Sequence, residues 1–176
     1  MNTVKRLFVL LASASMFLAC GASQRASCQA LPDPLSEVVG QEGAVVLTQP
    51  SSVTVYVLQN SPGNLEVLPG YFRHDEGKLL TSSEQAVARF LLTENPANFI
   101  ETEGPVVSAP FLPFVELCFR KGKQSLSILV STMDMTWSVV KDGQEIKNFP
   151  YRDVAAVERF ISSLTGEWYL PSDAIQ

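Results

Sequence analysis

The chain has 176 residues, of which 46% are hydrophobic and 18% charged, with a formal net charge of −5. This composition supports a packed core and argues against a disordered chain, and the length favours one domain beyond any export segment. Without residues 1–19, eleven basic residues face eighteen acidic ones. A body of net charge −7 repels phosphate backbones and anionic lipid, so nucleic acid is not an expected partner.

The first element is a short basic start. Lys5 and Arg6 precede the run Leu7 to Ala19, which is apolar or small throughout. Thirteen such residues are too few to cross a bilayer permanently, but they suit the core of a signal peptide. Lys5 and Arg6 would stay on the cytoplasmic side while the apolar run enters the translocon. The segment 1–19 is therefore expected to be a signal peptide.

The run ends in Phe17-Leu18-Ala19-Cys20, which resembles the lipobox of bacterial lipoprotein signal peptides. Ala19 is the small residue required before the cut, while Phe17 and Leu18 depart from the usual Leu followed by Ala or Ser. The resemblance implies that a diacylglycerol is attached to the Cys20 thiol and that cleavage occurs before Cys20. Two or three acyl chains of the palmitate type, at about 0.8 kcal/mol per buried CH₂, would anchor the protein stably. It implies a place on the periplasmic or outer-surface side of the cell envelope. The competing reading is ordinary cleavage after Ala22 or Ala30, which gives a soluble secreted protein.

Residues 20–36 read as a lipid-anchored flexible tether. Gly21 to Ser27 is small and polar, and Leu31-Pro32-Asp33-Pro34 blocks helix and ladder pairing. Residues 37–176 then read as a single α+β domain, an antiparallel meander packed against two helices. Val45-Val46-Leu47 suggests a short strand, and Ser52 to Gln59 is β-branched and clearer. Leu65 to Phe72 reads as a returning strand interrupted by Pro69-Gly70. Thr81 with Glu84, or Ser82 with Gln85, has capping-box spacing, and Val87, Phe90 and Leu91 follow as an apolar stripe that ends at Asn95-Pro96. After the proline-bearing stretch 95–112 come strands at Phe114–Phe119, Ser125–Ser131 and Thr136–Val140. Leu126, Ile128 and Val130 alternate with serines, which predicts one buried face. Asp142-Gly143 is a hairpin signal. A last helix over Tyr151–Leu164 carries the stripe Val154, Val157, Phe160, Ile161 and Leu164, with Gly166 as its C-cap.

The chemistry-bearing residues are few. The single histidine, His74, sits in Arg73-His74-Asp75-Glu76-Gly77, a pattern that suits an exposed turn better than an ion site. Met133-Asp134-Met135 has two thioethers in one turn and reads as side chains capping the sheet edge. No metal-ligand set and no cofactor is expected. Cys118 lies mid-strand between Leu117 and Phe119, where a small buried hydrophobe is the plain reading. If Cys20 is acylated, Cys28 and Cys118 are the two cysteines left in an oxidising compartment, and whether they form a disulfide stays open.

In outline the chain resembles small lipoproteins of bacterial envelopes: signal, lipobox, short stalk and one α+β domain. Two function classes follow. The preferred one is a non-enzymatic binding or interaction module, held on the membrane by its lipid and meeting an envelope protein or glycan. Phe111-Leu112-Pro113-Phe114 or Trp168-Tyr169-Leu170-Pro171 could supply its surface. The alternative is an envelope hydrolase or thiol enzyme that uses Cys118 with His74.

Overall fold

The computed structural model describes residues 31–99 and 111–166. The fold is α+β: an open antiparallel sheet curled as a half-barrel, with three helices. Helix α1 (Asp33–Thr48) leads into β1 (Ser52–Gln59), then the short strands β2 (Glu66–Leu68), β3 (Tyr71–Arg73) and β4 (Lys78–Leu79). Helix α2 (Ser82–Ala88) follows. The meander β5 (Val115–Lys121), β6 (Gln124–Ser131), β7 (Thr136–Lys141) and β8 (Gln144–Pro150) comes next, and α3 (Val154–Thr165) closes the described chain. The strand order is β2-β3-β1-β5-β6-β7-β8, with β4 pairing a different stretch of β1 from β3.

One face of this sheet holds the main core. Val53 and Val55 of β1, Leu117 and Phe119 of β5, Ile128 and Val130 of β6, and Trp137 and Val139 of β7 point the same way and are fully or almost fully buried. The two-residue period of a strand puts them there. Leu35 and Leu47 of α1, Leu92, and Val157 and Ile161 of α3 cover them in one continuous cluster. Trp137 stacks on Phe149 at 4.8 Å between ring centroids, and Phe99 meets both rings edge-on.

Several local expectations hold. Thr81 and Glu84 form a reciprocal capping box at the start of α2. Gly166 ends α3 at φ 73°, a left-handed conformation glycine adopts without a Cβ penalty. Asp142 and Gly143 both take positive φ in the β7–β8 hairpin.

Others need correction. Residues 33–36, expected in the tether, are the first turn of α1, and Leu31 and Leu35, from the same stretch, are both buried in the core. Pro34 sits at the helix start, where its missing N–H breaks no intrahelical bond. Val45-Val46-Leu47 is the last turn of α1 rather than a strand, because Val46 and Leu47 are buried at helical spacing while Val45 is exposed. Gly40, at φ 68°, kinks α1. Gly43 lets it approach β6, since a Cβ there would stand 3.1 Å from Leu126. The returning strand over Leu65–Phe72 is instead two short strands that pair with each other, reversed at Gly70 with φ 82°. The stripe after α2 continues as a π-turn (Arg89–Glu94) and a 3₁₀ turn (Pro96–Phe99). Buried Asn98 joins these turns to the chain before α3: its amide donates to Leu91 O and Leu92 O, and its Oδ1 accepts from Arg152 N. The sheet also buries more than one face, for Leu129 and Ser131 are as inaccessible as Ile128.

Candidate functional site

The face of the sheet turned away from the helices carries the unusual chemistry. Along β5 the residues that alternate with Leu117 and Phe119 are Glu116, Cys118 and Arg120. Glu116 pairs in register with Tyr56 of β1 and Leu129 of β6. Its side chain is wholly buried, yet it is a carboxylate in the middle of a sheet. Arg73, at the end of β3, meets it with a two-pronged ion pair: Nε donates to Oε2 and Nη2 to Oε1, each at 2.7 Å. Ser127 Oγ donates to Oε1 at 2.6 Å from the neighbouring strand. The Arg73 guanidinium lies 3.9 Å from the centre of the Tyr56 ring. Burial pulls the Arg73 pKa down, but the hydrogen bonds and charge of Glu116 outweigh it and leave it raised. The sequence showed only one sign of this arrangement, an acid at an otherwise apolar strand, and its partner lies 43 residues away.

The ion pair bridges β3 and β5, which are not neighbours in the sheet, because β1 runs between them. It therefore ties the β2–β3 hairpin to the strand beyond β1. Beside it a small cavity of about 150 Å³ is lined by Arg73, Glu116, Ser125, Ser127, Lys141 and Asp142 among others. Leu58, Val67, Leu68, Leu129 and Val140 form a second, smaller apolar cluster on this side of the molecule.

A larger cleft opens at the end of the sheet where β1 stops and β6 turns into β7. Its volume is about 490 Å³, and its walls include Gln59, Tyr71, His74, Phe114, Thr132 and Met133. His74 is held there by its backbone N–H, which donates to Val57 O at 2.9 Å. Asp75 Oδ1 accepts from Gly77 N at 3.1 Å and closes the turn that follows. His74 and Met133, 59 positions apart in sequence, thus share one cleft.

The cleft does not include Cys118. That residue is 3% exposed and pairs in register with Thr54 on one side and Ser127 on the other. His74 meets β1 three residues further along, at Val57, and on the opposite edge of that strand. At about 3.3 Å per residue and about 4.8 Å per strand, the two backbones stand roughly 14 Å apart. A thiol and a base need hydrogen-bond reach to act together. Cys28, Cys20 and Trp168-Tyr169-Leu170-Pro171 lie outside the described residues. Phe111 packs against the second apolar cluster, and Leu112, Pro113 and Phe114 line the cleft. Among the described residues no three His, Cys, Asp or Glu side chains gather as an ion site, and no helix is long and apolar enough to cross a membrane.

The chain matches no protein-family model, no curated protein and no solved structure.

Proposed function

We propose that this protein is a lipid-anchored, non-enzymatic binding module of the bacterial cell envelope, held through Cys20 on the periplasmic or outer-surface side, with the 490 Å³ cleft as its binding site. The observation that carries the anchor is the order of residues 1–20: basic Lys5-Arg6, the apolar run Leu7 to Ala19, then Cys20. Leu31 is buried in the core, and ten residues separate it from Cys20. Such a segment reaches at most about 35 Å and would keep the domain close to the bilayer it decorates. The binding role rests on the cleft, which is within the size range of ligand sites and mixes aromatic, aliphatic and amide walls.

Intact mass of the membrane-extracted protein tests the anchor. The expected species begins at Cys20 and carries diacylglycerol mass. A lipid-free species beginning at Ser23 or Leu31 would refute it. Cys20→Ser should release the protein from the membrane fraction or leave the signal segment uncleaved. Retention on the membrane after proven cleavage would place the anchor elsewhere. A pull-down of the intact anchored protein, repeated with Tyr71→Ala and Phe114→Ala, tests the cleft. Partners retained equally by both variants would move the binding surface away from it.

A further inference from the structure

The β2–β3 hairpin is bonded firmly within itself and sparingly to the sheet it joins. Arg73 N donates to Leu65 O at 2.9 Å, Asn64 N to Arg73 O at 3.2 Å, and Gly70 N to Glu66 Oε1 at 2.8 Å. Its ladder to β1 is short, Leu58 opposite Arg73 and Gln59 opposite Phe72, while β5 pairs with β1 from Ser52 opposite Arg120 to Val57 opposite Val115. The chain is exposed on both sides of the hairpin, at 60–65 and at 74–76. A unit with its own bonds, exposed flanks and a short attachment opens at far less free energy than the whole fold.

This unit lies across the face of the sheet. β2 and β7 are five strand steps apart, about 24 Å on a flat sheet at about 4.8 Å per strand. Yet Val67 and Leu68 of β2 share one apolar cluster with Leu129 and Val140, and Val67 and Val140 line the same 150 Å³ cavity. The hairpin has therefore folded back over the face. Val67 and Arg73 wall that cavity, while Tyr71 walls the 490 Å³ cleft and packs against the same cluster, so the hairpin is the partition between the two spaces. The ion pair of Arg73 with Glu116 holds it down. Two separated charges each regain the hydration they gave up on burial, which apolar groups do not, so an ion pair is a fastening that water can exchange for itself. Ser125, Ser127, Lys141 and Asp142 give the cavity beside it polar walls.

We propose that the β2–β3 hairpin is a strap that lifts from the sheet as a unit, with Arg73 and Glu116 as its latch. Lifting joins the cleft and the small cavity into one trough floored by Leu58, Leu129 and Val140. The trough accepts a longer ligand than the closed cleft, so the latch governs what the site admits. That regulatory role rests on the cleft being the binding site; the motion itself does not.

Cys118 is the native reporter. It is 3% exposed, lies two residues from Glu116 on the same face, and is near enough to Arg73 to act on its charge, so lifting the strap uncovers it. The full chain carrying Cys28→Ser is extracted in detergent and treated with an aromatic disulfide reagent at mildly alkaline pH. Peptide mass locates the label, so the state of Cys20 does not enter. Labelling of Cys118 should run about a hundredfold faster than global unfolding, measured in urea, would allow. Arg73→Met and the milder Glu116→Gln should each speed it about tenfold or more, since each leaves one buried group without its partner. Arg73→Met combined with Glu116→Leu should bring it back to the wild-type rate or below, because an apolar latch gains nothing from water. Ile161→Ala, beneath α3 on the helix-covered face, lowers global stability and should leave the labelling rate unchanged. Labelling no faster than global unfolding, or accelerated by Ile161→Ala in step with its lost stability, would show that the fold opens only as a whole and would overturn the proposal. Equal rates in the wild type and both single variants would remove Arg73 and Glu116 as the latch and overturn it too. No ligand enters the measurement, so a failed pull-down on the cleft leaves it standing. A strap that never lifts leaves the pull-down and the Cys20 mass untouched.

Discussion

The two faces of this sheet solve the problem of burial differently. The helix-covered face is apolar throughout: Val53, Leu117, Phe119, Ile128, Trp137 and Val139 meet α1, α3 and the turn after α2 in one continuous cluster. Among the described residues no helix covers the opposite face. Its middle is instead closed by a hairpin, and the hairpin is tied down by Arg73 reaching across β1 to Glu116. Apolar burial is non-directional and tolerates many arrangements. A bidentate ion pair demands one geometry. The first face therefore supplies stability, and the second fixes where β3 ends and so where His74 stands.

The largest expected effect breaks that second face alone. Arg73→Met leaves Glu116 buried without its counter-charge, which should cost about 3–5 kcal/mol. The double variant Arg73→Met with Glu116→Leu should recover most of that loss, because a buried pair can be exchanged for packed apolar groups at little net cost. Urea unfolding of the single and double variants measures both. A single variant within 1 kcal/mol of the native protein would mean that the hairpin is held by Leu58, Val67 and Leu68 instead. On the helix face Leu117→Ala should cost about 2–5 kcal/mol through transfer and cavity together. That loss has no rescuing partner, and a single distant substitution that restored it would contradict the comparison.

Much of the first face was legible in the sequence, and little of the second. The period-two pattern of Leu126, Ile128 and Val130, the capping box at Thr81, and the helical stripe of Val157, Ile161 and Leu164 are local signals, each readable within a dozen residues. Arg73 meets Glu116 across 43 positions, and the walls of the cleft come from stretches as far apart as His74 and Met133, 59 positions, so neither is a local signal. Leu31-Pro32-Asp33-Pro34 misled in the opposite sense. Two prolines read as a break, yet Pro34 starts α1 and Leu35 is fully buried, because the first turn of a helix is where proline costs least.

Cys118 provides a smaller test that lies on the second face but belongs energetically to packing. It is buried between Thr54 and Ser127 on neighbouring strands, and nothing brings His74 to it. Cys118→Ala should cost about 1 kcal/mol for the small volume lost, and His74→Ala should leave stability unchanged. Thermal or urea unfolding of each variant checks this. Rapid labelling of Cys118 by a thiol reagent at slightly acidic pH, abolished in His74→Ala, would show an activated thiolate and reverse the assignment.

The smallest effect lies on the helix face, at the start of α2, and appears as a pH dependence. The Thr81 backbone N–H donates to Glu84 Oε2 at 2.7 Å, and Lys78 Nζ stands 3.0 Å from Oε1. The first of these, with the ammonium and the Thr81 hydroxyl behind it, holds the Glu84 carboxyl down at about 2. A carboxyl whose pKa is lower folded than unfolded stabilises the fold where the unfolded chain is already ionised, and that stabilisation is lost as pH falls toward the folded value. The window is therefore from about 4.3 down to about 2. The site is partly open to solvent and screened by salt, so the effect at neutral pH should fall below the roughly 1 kcal/mol usual for losing a cap. Other carboxylates titrate in the same window, which makes the difference between wild type and Glu84→Gln the quantity to measure. That difference should be largest above pH 5, shrink through pH 4 to 2, and shrink at every pH as salt is added. A constant difference across the window would mean that Glu84 supports α2 by packing, and that the capping box is a geometric feature of the helix start without electrostatic weight.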